Sequence, residues 1–251
     1  MTTHRNWKEH SMASCCRRNL ARVLGALTVL LLSPVLHAAL QEGTDFRTLA
    51  PPQPTSQRGK IEVVEFFSYG CPHCAHFSPL LGAWAAKLPP DVVFRRVPVG
   101  FGREPWVNLQ RAFYALESTG DLTRLDGPLF HAIHDEHQQL FDESSIADWV
   151  GRNGGNVERF TTAYTSLGVN TQTFQADEMA ENFRVEGVPT LAVDGRYVAL
   201  VPNSAEDEAQ RFNNLLATTD QLIARVRSER VAAKAAPSAA APAPKPAPRS
   251  K

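Results

Sequence analysis

Cys71 and Cys74 stand three apart in "EFFSYGCPHCAHFSP", residues 65–79, directly after an apolar run. That spacing serves metal ligation, a structural disulfide, or a disulfide passed to another molecule. A structural zinc takes four ligands, commonly two such pairs or one pair with two spaced histidines. No second pair is present, although His73 and His76 lie close by. Haem attachment places a histidine directly after the second cysteine, where this chain has Ala75. In "HAIHDEH", His131, His134 and His137 recur every three residues on one expected helical face; a solvated face accounts for them better than a metal site. Exchange chemistry makes a different demand, because a thiol attacks a disulfide only as the thiolate.

The elements around the pair meet that demand. "KIEVVEFFSYG" is rich in β-branched and aromatic residues and ends on glycine, which predicts a buried strand. From Pro72 to Lys87 the apolar residues Phe77, Leu80, Leu81, Trp84 and Leu88 recur at helical spacing, and proline suits a helix's first turn. Cys71 is therefore expected at the helix N-terminus, facing unpaired N–H groups and the positive end of the helix dipole. His73 is placed to donate a hydrogen bond to the same sulfur. Cys74, one turn further in, is expected to be buried and poorly nucleophilic. Cysteines so placed have pKa values between roughly 3.5 and 7.5, down from about 8.5. His76 is expected to be a surface histidine rather than a proton shuttle.

"DVVFRRVPVGF" predicts a second strand and completes a βαβ unit. Residues 104–184 predict only helices, broken by glycine, with caps near Asp142–Ser145 and at Asn156. "GVPTLAVDGRYVAL" gives two short strands around a turn, and the stretch to Arg230 a closing amphipathic helix. Strands at both ends with helices between them imply one sheet split by a helical insertion.

Residues 1–38 have the form of a secretory signal: basic residues up to Arg22, the apolar run "VLGALTVLLLSPVL", then "HAA". That run falls short of the roughly 20 residues of a spanning helix. Cleavage would remove Cys15 and Cys16 and leave only Cys71 and Cys74, in a compartment where disulfides persist. One pair closing a small loop adds little to a fold of this size, so it reads as a reagent rather than a staple. Outside the two basic ends the chain carries 17 bases and 25 acids, a net charge of −8, which argues against nucleic-acid binding. Residues 39–59 form a Pro-rich lead-in, and 231–251 an Ala/Pro tail expected to be disordered.

Two more residues stand out. Glu65 interrupts an apolar strand six residues before Cys71; a buried acid is costly without a partner, which favours a proton-moving role beside Cys74 over a water-facing edge position. Pro189, after Val188 at the head of a strand, is a candidate cis proline whose turn would present Val188's backbone to an extended substrate.

Together "EFFSYGCPHC", the later "GVPT" and the helical block between them resemble the DsbA family of periplasmic thiol:disulfide oxidoreductases. The likeness runs from about Asp45 to Arg230. It implies an α/β fold, a thioredoxin fold (60–103 and 185–230) with an inserted helical domain at 104–184. It also implies an attacking Cys71, a resolving Cys74, a tuning His73, a cis Pro189 and Glu65 as the buried acid. The implied activity is oxidation of reduced secreted or periplasmic proteins by a monomer without bound cofactor or metal, reoxidised by a quinone-linked membrane oxidase of DsbB type. The rivals are a reductase or isomerase on the same fold, or a peptide- or metal-binding module. A Cys71 pKa near 4 would make the reduced protein the more stable form at pH 7 by roughly 2 kcal/mol, as an oxidant requires. That low end of the range belongs to a member of this same family. A pKa near 7 would leave almost no thiolate gain and favour a reductase.

Overall fold

The computed structural model describes residues 40–201 and 207–235. The signal segment 1–38 and the tail beyond 235 lie outside the described residues. Among the described residues the elements are β1 (Phe46–Thr48), β2 (Ile61–Phe67), α1 (Pro72–Ala85), β3 (Val92–Pro98), α2 (Glu104–Thr119), α3 (Leu122–His134), α4 (Glu143–Arg152), α5 (Val157–Tyr164), α6 (Leu167–Asn182), β4 (Thr190–Val193), β5 (Tyr197–Ala199) and α7 (Glu208–Ala235).

The strands form one sheet in the order β1-β5-β4-β2-β3. β2 and β3 are parallel, as a strand–helix–strand crossover requires, and the other pairings are antiparallel. β4 lies against β2 although the whole helical run α2–α6 separates them in sequence. This is the thioredoxin fold with a helical insertion that the pattern of elements implied.

β2 is central, and all seven of its residues are buried. Its side chains feed two cores. Val64 and Phe66 join Leu109, Leu116, Leu129 and Phe183 of the helical block, whereas Ile61 and Val63 join Phe77 and Leu81 of α1. α7 covers that second core with Phe212, Leu215, Leu222 and Val226, a helical spacing that keeps one face inward.

Three expectations change. β1 lies inside the stretch read as lead-in; it pairs Phe46 with Ala199 and Thr48 with Tyr197. The Phe46 ring meets Tyr197 edge-on at 5.6 Å, and three residues are too few to show a period. Gly168 does not break a helix. Ser166 caps α6 by accepting from the Val169 N–H, so the chain turns two residues earlier and Gly168 is helical. Last, α7 runs to Ala235, so residues 231–235 belong to the helix rather than to the expected tail, because "VAAKA" is composed mainly of strong helix formers. The expected caps at Asp142 and Asn156 are both present.

Candidate active site

Cys71 is the N-cap of α1, in extended conformation, with Pro72 opening the helix. Its sulfur accepts from the Cys74 N–H at 3.4 Å and lies 3.5 Å from the Val188 carbonyl, to which the thiol donates. The Val188–Pro189 bond is cis. The loop leading in is tight. A Cβ on Gly70 would stand 2.5 Å from Trp106 Nε1, so glycine is what lets the backbone pass beneath that ring.

Both cysteines are buried and unlinked in this structure, yet their environments differ. The Cys71 pKa is lowered to about 7; its hydrogen bond with the Cys74 side chain comes first, with burial opposing, then the Cys74 backbone N–H and the nearby His73. The Cys74 thiol is pushed well above its ordinary value, by burial first and then by Cys71 and the charge of Glu65. The expected asymmetry of the two sulfurs holds. The value near 7 sits at the upper end of the expected range, where the thiolate gain at neutral pH is small and the thermodynamic balance leans toward the reductase alternative.

Glu65 is fully buried, and the β2–β3 register sets it opposite Arg96. The Arg96 Nε donates to Glu65 Oε2 at 2.5 Å, and Arg96 Nη1 donates to both oxygens of Asp126 at 2.7 Å. The Tyr69 hydroxyl donates to Asp126 at 2.5 Å. The guanidinium also rests 3.8 Å above the Phe67 ring. Glu65 Oε1 has no hydrogen-bond partner among the described residues. Burial raises the Glu65 pKa, with Arg96 opposing. The carboxyl is thus paired on one side and open on the other, and its charge is felt at Cys74.

His73 departs from expectation. Its Nδ1 pairs with Glu208 Oε1 at the start of α7, and among the described residues no hydrogen bond joins its ring to the Cys71 sulfur, which it reaches through its charge and its backbone. The ring is 60% exposed, because a residue two positions into a helix from its N-cap points outward. His76, the expected surface histidine, pairs with Glu208 Oε2 at 2.7 Å. The three histidines of "HAIHDEH" do not share a helical face, since α3 ends at His134 and His137 has a positive φ of 56°. His134 instead donates through Nε2 to the Tyr69 carbonyl at 2.7 Å, and His131 faces Glu136 at 3.2 Å.

Beside Cys71 runs a cleft of about 610 Å³ lined by His73, Val188, Pro189, Thr190, Glu208 and Arg211. Four members of the site went unseen in the sequence: Tyr69, Arg96, Asp126 and Glu208. Only Arg96 carried a signal, as an arginine inside an apolar strand.

Comparison with known proteins agrees with this geometry. The family model "DSBA-like thioredoxin domain" matches residues 62–212. The chain is 36% identical over 209 residues to the thiol:disulfide interchange protein DsbA of Bordetella pertussis, spanning 82% of this chain and 94% of that one. It is 41% identical over 155 residues to the protein of that name from Pseudomonas aeruginosa, spanning 62% and 73%. The crystal structure of Pseudomonas aeruginosa DsbA superposes with a TM-score of 0.70 at 38% identity, covering 78% of this chain and 97% of that one. The oxidoreductase DsbA of Xylella fastidiosa gives 0.68 at 33% identity, covering 76% and 100%. Sequence, fold and two unequal cysteines at a helix N-terminus thus lead to one place: the chain belongs to the DsbA family of thiol:disulfide interchange proteins.

Proposed function

We propose that the protein acts in the periplasm as a dithiol oxidase, donating the Cys71–Cys74 disulfide to folding secreted proteins. The observation that carries this reading is the inequality of the two sulfurs, one with a lowered pKa beside a backbone carbonyl, the other buried with a raised one. A substrate thiolate attacks Sγ of Cys71; the Cys71–Cys74 bond breaks and Cys74 leaves with the electron pair. A leaving thiol of raised pKa needs a proton, and Glu65 exchanges one with it. The substrate's second thiolate then attacks the substrate sulfur of the mixed disulfide and releases Cys71 as the thiolate. Two electrons have moved from substrate to enzyme. Val188 and Pro189 receive the substrate backbone in this scheme, and His73 tunes Cys71.

A Cys71 pKa of about 7 supplies little of the thermodynamic drive that an oxidant needs, so in this reading the direction of transfer is maintained kinetically by the recycling partner. A quinone-linked membrane oxidase of DsbB type returns the enzyme to the disulfide form, a kinetic route for which this family is itself the known case. Export through residues 1–38 and action as a monomer complete the reading. The test uses the full chain in its native envelope: trapped redox states should show Cys71–Cys74 oxidised at steady state, and reduced clients should gain disulfides in step with enzyme added. A steady state that is mostly dithiol, with purified protein that reduces clients, would replace the oxidase by the reductase reading.

A further inference from the structure

Glu208 lies 135 residues from His73 in sequence, yet α7 begins against the first turn of α1 and sets one carboxylate oxygen on each of two imidazoles. His73 Nδ1 is on Oε1 and His76 Nδ1 on Oε2. Such a grip fixes the carboxylate between two rings one helical turn apart, and it fixes the rings in return. The Cys71 sulfur meanwhile meets the Cys74 N–H and the Val188 carbonyl, with the Cys74 side chain and the His73 backbone N–H also close by, and among the described residues no imidazole nitrogen donates to it. His73, whose charge already reaches that sulfur, spends Nδ1 on Glu208 instead of on a bond to it.

We propose that Glu208 is a positioning residue for the exchange reaction: by holding His73 through Nδ1 it withholds that ring from the Cys71 sulfur and makes the disulfide a weaker oxidant. The chemistry is competition between two anions for one donor. The carboxylate is always present above acid pH, whereas the thiolate appears only when the disulfide is reduced. Glu208 is itself favoured in its charged form, with burial opposing and the two imidazoles prevailing. His76 occupies the second oxygen and keeps the carboxylate turned toward His73. Released from Glu208, the His73 ring is free to turn its N–H onto the newly formed thiolate, which stabilises the reduced enzyme and with it the driving force for oxidising a substrate. The position of Glu208 on the wall of the Val188–Pro189 cleft puts this control where a bound substrate passes.

The inference rests on Cys71 being the attacking sulfur, and the experiment keeps the two apart. Redox equilibrium with glutathione at pH 7 and thiolate absorbance against pH are measured on the full mature chain. The variants are Glu208→Ala, Glu208→Gln, His73→Ala and the double variant Glu208→Ala/His73→Ala. A titrating thiolate that is lost in Cys71→Ala verifies the underlying assignment. Glu208→Ala should then lower the Cys71 titration midpoint by about one unit and shift the glutathione equilibrium roughly five-fold toward reduced enzyme. Glu208→Gln should follow in the same direction, and in the His73→Ala background the change at Glu208 should have no effect. Loss of a mere helix-end contact would lower stability equally in both redox forms and leave the equilibrium where it was. An unchanged or raised midpoint in Glu208→Ala, or an equal shift with and without His73, overturns the proposal.

Discussion

Two groups of charges flank the cysteine pair, and they differ chiefly in their access to water. On the Cys71 side His73, His76 and Glu208 form a surface cluster whose imidazoles are 60% exposed. On the Cys74 side Glu65, Arg96, Asp126 and Tyr69 form a buried one, with Glu65 fully enclosed and Arg96 16% exposed. In water opposite charges a few ångströms apart attract weakly, whereas in the interior the same pair is strong and so is the cost of breaking it. The surface cluster can therefore be edited with small consequences and suits adjustment of a redox couple. The buried cluster is part of the fold as well as of the chemistry.

The largest effects are expected at the sulfurs. Cys71→Ala should abolish exchange altogether, and Cys74→Ala should accumulate mixed disulfides with client proteins because no resolving thiol remains. Non-reducing gels of cells carrying each variant check this; trapping by both variants alike would mean that the inequality of the sulfurs has no functional meaning.

Arg96→Met breaks the buried cluster at its centre. It leaves Glu65 and Asp126 without their shared cation, and removing one partner of a buried pair typically costs about 3–5 kcal/mol. Denaturant unfolding at pH 7 measures the loss. Most of it should return in Glu65→Gln/Arg96→Met, since the enclosed charge is then gone. No recovery in the double variant would show that Arg96 acts through its packing on Phe67 instead.

Glu65→Gln is the milder cut. Arg96 keeps both oxygens of Asp126, and an acid whose folded pKa is raised destabilises the native state at every pH above its unfolded value. Stability should hold within about 1 kcal/mol or rise, while exchange slows by about ten-fold or more as Cys74 loses its proton partner. Stopped-flow exchange with a reduced peptide, set beside unfolding curves, separates the two. A large stability loss with unchanged rate would make Glu65 purely structural.

How far the sequence discloses this site follows from the same contrast. Cys71, Cys74 and Glu65 were legible because local pattern locates them: a pair after a strand, a proline opening a helix, an acid among apolar neighbours. The Val188–Pro189 turn was legible from the segment's place at the head of a strand. Asp126 and Glu208 were not, since each reaches the site from a separate helix and only the packed fold decides which carboxylate arrives. The expected bond from His73 to sulfur failed for that reason. Nothing local to "CPHC" announces that a residue near position 208 will take the ring. β1 was missed for the opposite cause, being too short for any period to show.

The smallest expected effect at neutral pH concerns the relative stability of the two redox forms, for which a Cys71 pKa of about 7 leads to the opposite order from a pKa of about 4. With Cys71 at about 7 in the folded protein against about 8.5 unfolded, the thiolate stabilises the reduced form by well under about 1 kcal/mol at pH 7. The gain is fully present only above the unfolded value and is lost as pH falls through the folded one, so it grows to about 2 kcal/mol at pH 9. The four-residue disulfide loop contributes about 1.9 kcal/mol to the oxidised form by chain entropy. The oxidised protein should therefore be the more stable by roughly 1–2 kcal/mol at pH 7, and the order should invert at about pH 9. Glu208→Ala, by lowering the sulfur's pKa about one unit, should bring the inversion down to about pH 7.4. Paired melts of the oxidised and reduced protein from pH 6 to 9.5 measure both crossings. A wild-type reduced form already ahead at pH 7 would mean that the surface cluster does not restrain the thiolate, and the contrast between the two sides of the cysteine pair would need another cause.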